Sequence, residues 1–384
     1  MATDASTALA VRQKVHQFLN AAQTGNINLF KKVAAELDDG KGLAKTVADV
    51  KDANKRGALH FAAREGKTEV CKYLIEELKL DINLRDEDGD TPLLHATRQG
   101  HGETARYLLD CGADPAASSD LGATALHHAA GIGHVELLKF LLSRGVSVDS
   151  HSDAGTPLIW AAGHGQPGCV KVLLEARANP DAETDDNITP LISAVAAGSL
   201  LCLELLIQAG ANPNVTAGGA TPLHIAADNG SSGIINCLLK AGADPNTVDV
   251  DGLKPVQVAA GRGNRAAVEI MLPQTTPIES ILNWNVDGII EQMQSEGKVL
   301  EEAPNEADTS EKSTTSEQDI TEVTPESKKK SLEAKAKERM PSNERIIVWQ
   351  LMLILRPLTW ILAMWPYFQT EVFVGSGWGR LTKL

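Results

Sequence analysis

Three histidines, His60, His127 and His224, each follow a leucine in closely similar local sequence. Imidazoles in such a set could ligate a metal, or each could carry a structural hydrogen bond tying neighbouring turns. Their repetition at one period favours the hydrogen bond. Five cysteines, Cys71, Cys111, Cys169, Cys202 and Cys237, are scattered without a CxxC pair. An odd number without metal-ligand spacing reads as reduced thiols of the cytosol or nucleus. Cys71, Cys169, Cys202 and Cys237 fall where helices are expected and suit small apolar packing. Two Gly-rich stretches, AAGIGH (129–134) and AAGHGQPG (161–168), could suggest a phosphate cradle. No strand precedes either, so neither is a phosphate loop. No nucleophile triad, no catalytic carboxylate pair and no metal signature is legible, so the reading is non-enzymatic, with no cofactor.

The elements that position these residues repeat along the chain. TPLHIAADNGSSGIINCLLKAGADPN begins at Thr221, and relatives begin at Thr91, Thr124, Thr156 and Thr189. Worn copies start at Gly57 and Lys254, giving a period of 32 to 33 residues. Thr suits a helix N-cap, because its hydroxyl accepts from orphan amides. Pro follows at the first helical position, where no amide is needed. Small Ala residues let short helices approach closely. A Gly at 66, 100, 133, 165, 198, 230 and 263 ends the first helix where left-handed backbone is required. Paired aliphatics such as Leu108-Leu109, Leu141-Leu142 and Leu238-Leu239 mark a second helix, and GADPN returns the chain through a turn.

The TPLHxAA start, the mid-repeat Gly and the GADPN turn at this spacing resemble ankyrin repeats. The resemblance implies an all-α solenoid of helix–turn–helix units with β-hairpin fingers. Residues 52–272 would hold seven repeats, with an N-terminal capping repeat over 1–51 and C-terminal capping helices over 273–300. FLNAAQTGNINLFKKVAAEL (Phe18–Leu37) has the helix–Gly–helix pattern of a cap. PIESILNWNVDGIIEQMQ (Pro277–Gln294) reads as a closing helix whose Ile281, Trp284, Ile289 and Met293 cover the open end.

Proteins of this kind bind other proteins on the concave face, with finger tips and inner helices. Carried onto this sequence, the inner-helix positions are Arg64, Glu65, Arg98, Gln99, Ile132, His164, Asp228, Asn229 and Arg262. The finger positions are Arg56, Glu87, Asp88, Asp90, Asp120, Leu121 and Leu253. The expected partner is a protein. A net charge of −14 argues against non-specific nucleic-acid binding, which needs basic surface. The start of the chain carries no secretory signal pattern. The expectation is a cytoplasmic monomer, with the nucleus also open to it.

Residues 301–327 are acidic, rich in Ser and Thr and poor in large apolar residues, which reads as a disordered linker. Residues 328–339 have the composition of a helix leading into a further domain. The tail 340–384 then turns apolar and holds four of the six tryptophans. Read in a shifted frame, with allowed third bases, its codons spell AFKRKDYSLAVDAYTQAIDLDP. That string resembles a tetratricopeptide repeat, so the chain resembles an ankyrin–tetratricopeptide adaptor with its second module lost. The tail is then expected to be an out-of-frame translation. Taken as written, the segment 346–368 exceeds the ~20 residues that span a bilayer, with Arg356 at its middle costing ~2.5–3.5 kcal/mol. The alternative is therefore a tail-anchored membrane adaptor facing the cytosol.

Overall fold

The structure, a computed structural model, describes residues 2–301. The readings of the linker, the lead-in helix, the apolar tail and the segment 346–368 fall outside these residues, save Glu301. Among the described residues no helix is long and apolar enough to cross a membrane.

The described residues are helical, and the helices come in pairs. Each repeat begins with a seven-residue inner helix, such as Pro92–Arg98, Pro157–Gly163 or Pro222–Asp228. An outer helix follows, such as Gly102–Asp110, Pro167–Glu175 or Ser232–Lys240. Helices this short do not hold in water alone, so stacking on neighbours must supply their stability. Consecutive inner helices pack on one another, and outer helices do the same. The Ala positions make that approach close: Ala62, Ala96, Ala129, Ala161, Ala194, Ala226 and Ala259 are fully buried. Leucines such as Leu108, Leu141 and Leu238 fill the space between the two layers, at roughly 1.5–3 kcal/mol each relative to exposure.

The start and stop chemistry follows the sequence. Thr91, Thr156 and Thr189 accept the backbone N–H of Leu94, Ile159 and Ile192 through their hydroxyls, at 3.3 to 3.4 Å. Each is followed by Pro at the helix start. The seven mid-repeat glycines take φ between 62° and 78°. Gly66 shows why Gly is needed, since a Cβ there would lie 2.6 Å from Nδ1 of His101 in the next repeat.

One repeat departs from the pattern. From Gly100 to Gly112, and from Gly133 to Gly145, the mid-repeat and closing glycines stand twelve residues apart. In the first repeat Gly66 and its counterpart Lys79 (φ 54°) stand thirteen apart. The extra residue is absorbed as a π-turn over Tyr73–Glu77, closed by Leu78 N–H donating to Tyr73 C=O at 3.2 Å. Such turns take up a one-residue insertion without breaking the helix.

The fingers are hairpins of minimal length. Among the described residues they are tight turns holding isolated bridges, Lys51 with Gly57, Ser118 with Thr124, Ser152 with Gly155 and Ala217 with Ala220. An Asp side chain organises several of them: Asp52, Asp86 and Asp249 each accept two backbone N–H groups of their own turn. That leaves too little chain for a ladder. Adjacent fingers are instead joined by single backbone bonds, Glu87 N–H to Asn54 C=O, Asp120 N–H to Asp88 C=O and Asp153 N–H to Leu121 C=O, at 2.9 to 3.0 Å.

At the N-terminal end, helices Ala2–Thr24 and Ile27–Leu37 form the expected pair around Gly25, with Phe18 and Phe30 fully buried against each other. A short helix, Leu43–Asp49, follows. At the other end the closing helix spans Val286–Glu301 and not Pro277 onward. Residues 277–285 form turns, consistent with Pro277 and the Asn283 and Asn285 pair. Ile281, Ile289 and Met293 are buried as expected, whereas Trp284 is only half-buried.

Candidate protein-binding face

The histidines tie one repeat to the next. His60, His127 and His224 each accept, through Nδ1, the backbone N–H of the residue that starts their helix, Gly57, Thr124 or Thr221, at 3.1 to 3.2 Å. Each Nε2–H then donates to a carbonyl of the following finger, Leu84, Gly155 or Leu253, at 3.0 to 3.1 Å. With one ring nitrogen accepting and the other donating, the imidazole must be neutral. Burial enforces this, lowering the pKa of His60 and His127 to about 4 and that of His224 in the same direction. Gln257 holds this slot in the last repeat, and its Oε1 accepts Lys254 N–H at 2.9 Å.

The cysteines behave as small apolar groups where they are buried. Cys71, Cys169 and Cys202 are enclosed, and burial pushes the thiol pKa up, to about 12 for Cys71 and about 11 for Cys169. Cys237 is half-buried and Cys111 is exposed beyond the second repeat's outer helix.

The positions carried over as partner-binding divide sharply. Gln99, Ile132, Asn229 and Arg262 are exposed at the ends of the second, third, sixth and seventh inner helices. Glu87, Asp88, Asp120 and Leu121 are exposed at finger tips. Ile132 and Leu121 are large apolar side chains left 41% and 50% open to solvent. Arg64 and Glu65 are half-buried and face each other at 3.8 Å. His164 is half-buried and donates through Nδ1 to the Trp160 carbonyl at 2.8 Å. Asp228 is half-buried and paired with Arg262 at 2.6 Å. Leu253 is half-buried, and its carbonyl serves His224.

Two positions are corrected. Arg56 is buried, its guanidinium bonded twice to Asp52 of the same turn at 2.6 and 2.8 Å and lying over the Phe61 ring. Asp90 is 1% exposed and takes the Arg98 guanidinium at 2.6 Å. Both charges point inward because a partner of opposite sign stands four or eight residues away and meets them behind the finger. Neither presents a surface to a protein partner.

Sequence reading missed the row one residue beyond the histidine slot. Phe61, His95, His128 and Trp160 occupy it in successive repeats. Trp160 meets His127 and His128 edge-on, with ring centroids 5.5 and 5.4 Å apart. Arg98 lies 3.5 Å from Nε2 of His128. Burial first, then the charge of Arg98, holds the His128 pKa well below its ordinary value, so this ring is neutral too. The aromatic residue types at that slot were the available signal.

Between the second and third repeats an open groove of about 530 Å³ is lined by Arg98, Gln99, Gly100, Ile132, Gly133, His134, Val135 and Glu136. It joins three of the carried-over positions into one depression with an apolar wall and charged rims.

The comparisons with known proteins agree with this geometry. A family model of ankyrin repeats matches residues 18–119, 113–184 and 176–249. The chain is 43% identical over 67 residues to 26S proteasome non-ATPase regulatory subunit 10 of Dictyostelium discoideum, covering 17% of this chain and 29% of that protein. It is 45% identical over 65 residues to human protein phosphatase 1 regulatory subunit 27, covering 17% of this chain and 42% of that protein. It is 36% identical over 101 residues to the mouse mitochondrial glutaminase liver isoform, covering 26% of this chain and 15% of that protein. The chain thus spans less than half the length of each of these relatives. Among solved structures, the human ASB11 ankyrin repeat domain superposes with a TM-score of 0.53 at 27% identity, over 58% of this chain and all of that one.

Proposed function

The chain belongs to the ankyrin-repeat family, and from that premise we propose that it is a non-enzymatic scaffold holding a protein partner along the exposed ends of its inner helices and the adjacent finger tips. The observation that carries the reading is Ile132. It is a large aliphatic side chain, 41% exposed, on the wall of a groove whose rims carry Arg98 and Glu136. Partner-binding sites centre on apolar anchors ringed by polar groups. The names of two of the relatives, regulatory subunits of the proteasome and of a phosphatase, favour a role in recruiting or regulating another protein. The reading takes the chain as a cytoplasmic monomer.

The test uses the full chain and a variant carrying Gln99→Glu, Leu121→Asp and Ile132→Glu, three exposed positions. Each is immobilised and used to capture proteins from lysate of the source cells. A partner held by the parent and lost by the variant, with an unchanged melting temperature, supports the reading. Equal capture by both overturns this face as the binding surface.

A further inference from the structure

We propose that Asp86, Asp90 and His95, at the root of the second finger, form a binding site for a divalent metal ion of the zinc class. A ligating atom from each lies within 4.8 Å of the other two, and all three side chains are buried. His95 Nε2 stands 2.8 Å from Asp86 Oδ2. Two ligands of one tetrahedral zinc, each at about 2.0–2.1 Å, stand about 3.3 Å apart, so a small opening of that pair admits an ion.

An independent observation marks the site as incomplete. Asp90 is 1% exposed, and while its Oδ2 takes Arg98 at 2.6 Å, its Oδ1 is buried with no hydrogen-bond partner. A buried carboxylate oxygen left unpaired is costly. A metal would satisfy it, with Arg98 retained on the other oxygen to orient the ligand, the usual second support of a metal-bound carboxylate. One imidazole and two carboxylates suit zinc and its neighbours better than calcium or magnesium, which take oxygen ligands alone. Three protein ligands leave a fourth position for water. Binding would pin the finger carrying Glu87 and Asp88 to the inner helix Pro92–Arg98. The site thus goes beyond the scaffold reading and does not depend on it.

The experiment titrates zinc, and separately cobalt, into the chelator-stripped full chain. Three further samples are Asp90→Asn, His95→Gln and Cys111→Ser, the last removing the exposed thiol. The expected result is one saturable ion per chain. Cobalt should show the visible bands of a four-coordinate site without thiolate charge transfer. Affinity should weaken at least about tenfold in Asp90→Asn and His95→Gln, and hold in Cys111→Ser. Circular dichroism of each apo-variant, matched to the parent, separates a lost ligand from a lost fold. Two results would overturn the proposal: no saturable binding by the parent, or binding that survives both ligand substitutions.

Discussion

Asn83 and Asp114 stand at the closing turns of the first and second repeats, and the side-chain oxygen of Asn83 accepts the backbone N–H of Asp114 at 2.9 Å. The same bond recurs from Asp149 to Asn179, Asp181 to Asn212, Asn214 to Asp244 and Asn246 to Thr276. The residue in this slot at the end of the second repeat is Ala116, which has no side-chain acceptor to offer Ser147. Ala116→Asn supplies the missing rung. We expect a stability gain of about 0.5–1.5 kcal/mol, read as a rise in the urea midpoint with an unchanged slope. No gain would show that the Ser147 amide is already satisfied by solvent.

The histidine slot gives a graded test. His127→Leu leaves the buried Thr124 N–H without its partner, at about 1–3 kcal/mol, and removes one bond from the Gly155 carbonyl, which Ser152 continues to serve. His127→Gln should cost less, because Gln257 makes the helix-start bond in the last repeat. Equal destabilisation by the two would mean that ring packing against Trp160, and not hydrogen bonding, sets the cost.

Stability should fall with acid in a defined window. His127 has a folded pKa of about 4 against an ordinary 6.5. The folded state therefore binds fewer protons, and the contribution is complete above pH 6.5 and lost as pH drops toward 4. A single group shifted this far accounts for roughly 3 kcal/mol over that range. His224 acts in the same direction. Urea melts between pH 7 and 4.5 should show the loss, and His127→Gln should flatten the slope. A pH-independent parent would refute the buried neutral ring.

Arg56 separates stability from binding. Its guanidinium serves the partly exposed Asp52 inside the first finger, so Arg56→Ala should lower stability by about 1–3 kcal/mol. Partner capture at a temperature well below the melt should be unchanged. A variant that keeps its stability and loses its partner would return Arg56 to the binding face.

Removing one residue from the first outer helix should be tolerated. Deleting Glu77, an exposed position at the end of the π-turn, restores the twelve-residue spacing of the other repeats. The expected variant folds with the π-turn replaced by α-helix, with stability within about 1 kcal/mol of the parent. Failure to fold would show that the insertion is required by the neighbouring contacts.

The repeat architecture was legible because its signals are local: Thr before Pro at a helix start, Gly where φ must be positive, and His bonds recurring with the period. The burial of Arg56 and Asp90 was not. A charged residue in a polar turn looks the same in sequence whether it faces water or an opposite charge behind the turn. Asp90 meets Arg98 only after one helix has formed. The π-turn left a trace in the thirteen-residue spacing from Gly66 to Lys79, but a count cannot say where a helix takes up its slack. The trio Asp86, Asp90 and His95 escaped notice because its spacing matches no metal motif and becomes a cluster only when the finger folds back on its helix.

The joint between the second and third repeats is fastened at several separate places. The finger edge is held by the backbone bond from Asp120 to Asp88. The closing turn lacks its rung at Ala116, while the outer helices are tied by the exposed Arg144–Asp110 pair and the Arg106 bond to the Glu136 carbonyl. The groove lined by Gln99 and Ile132 lies across this joint, so a partner seated there would touch both repeats at once and act as one more clasp between them.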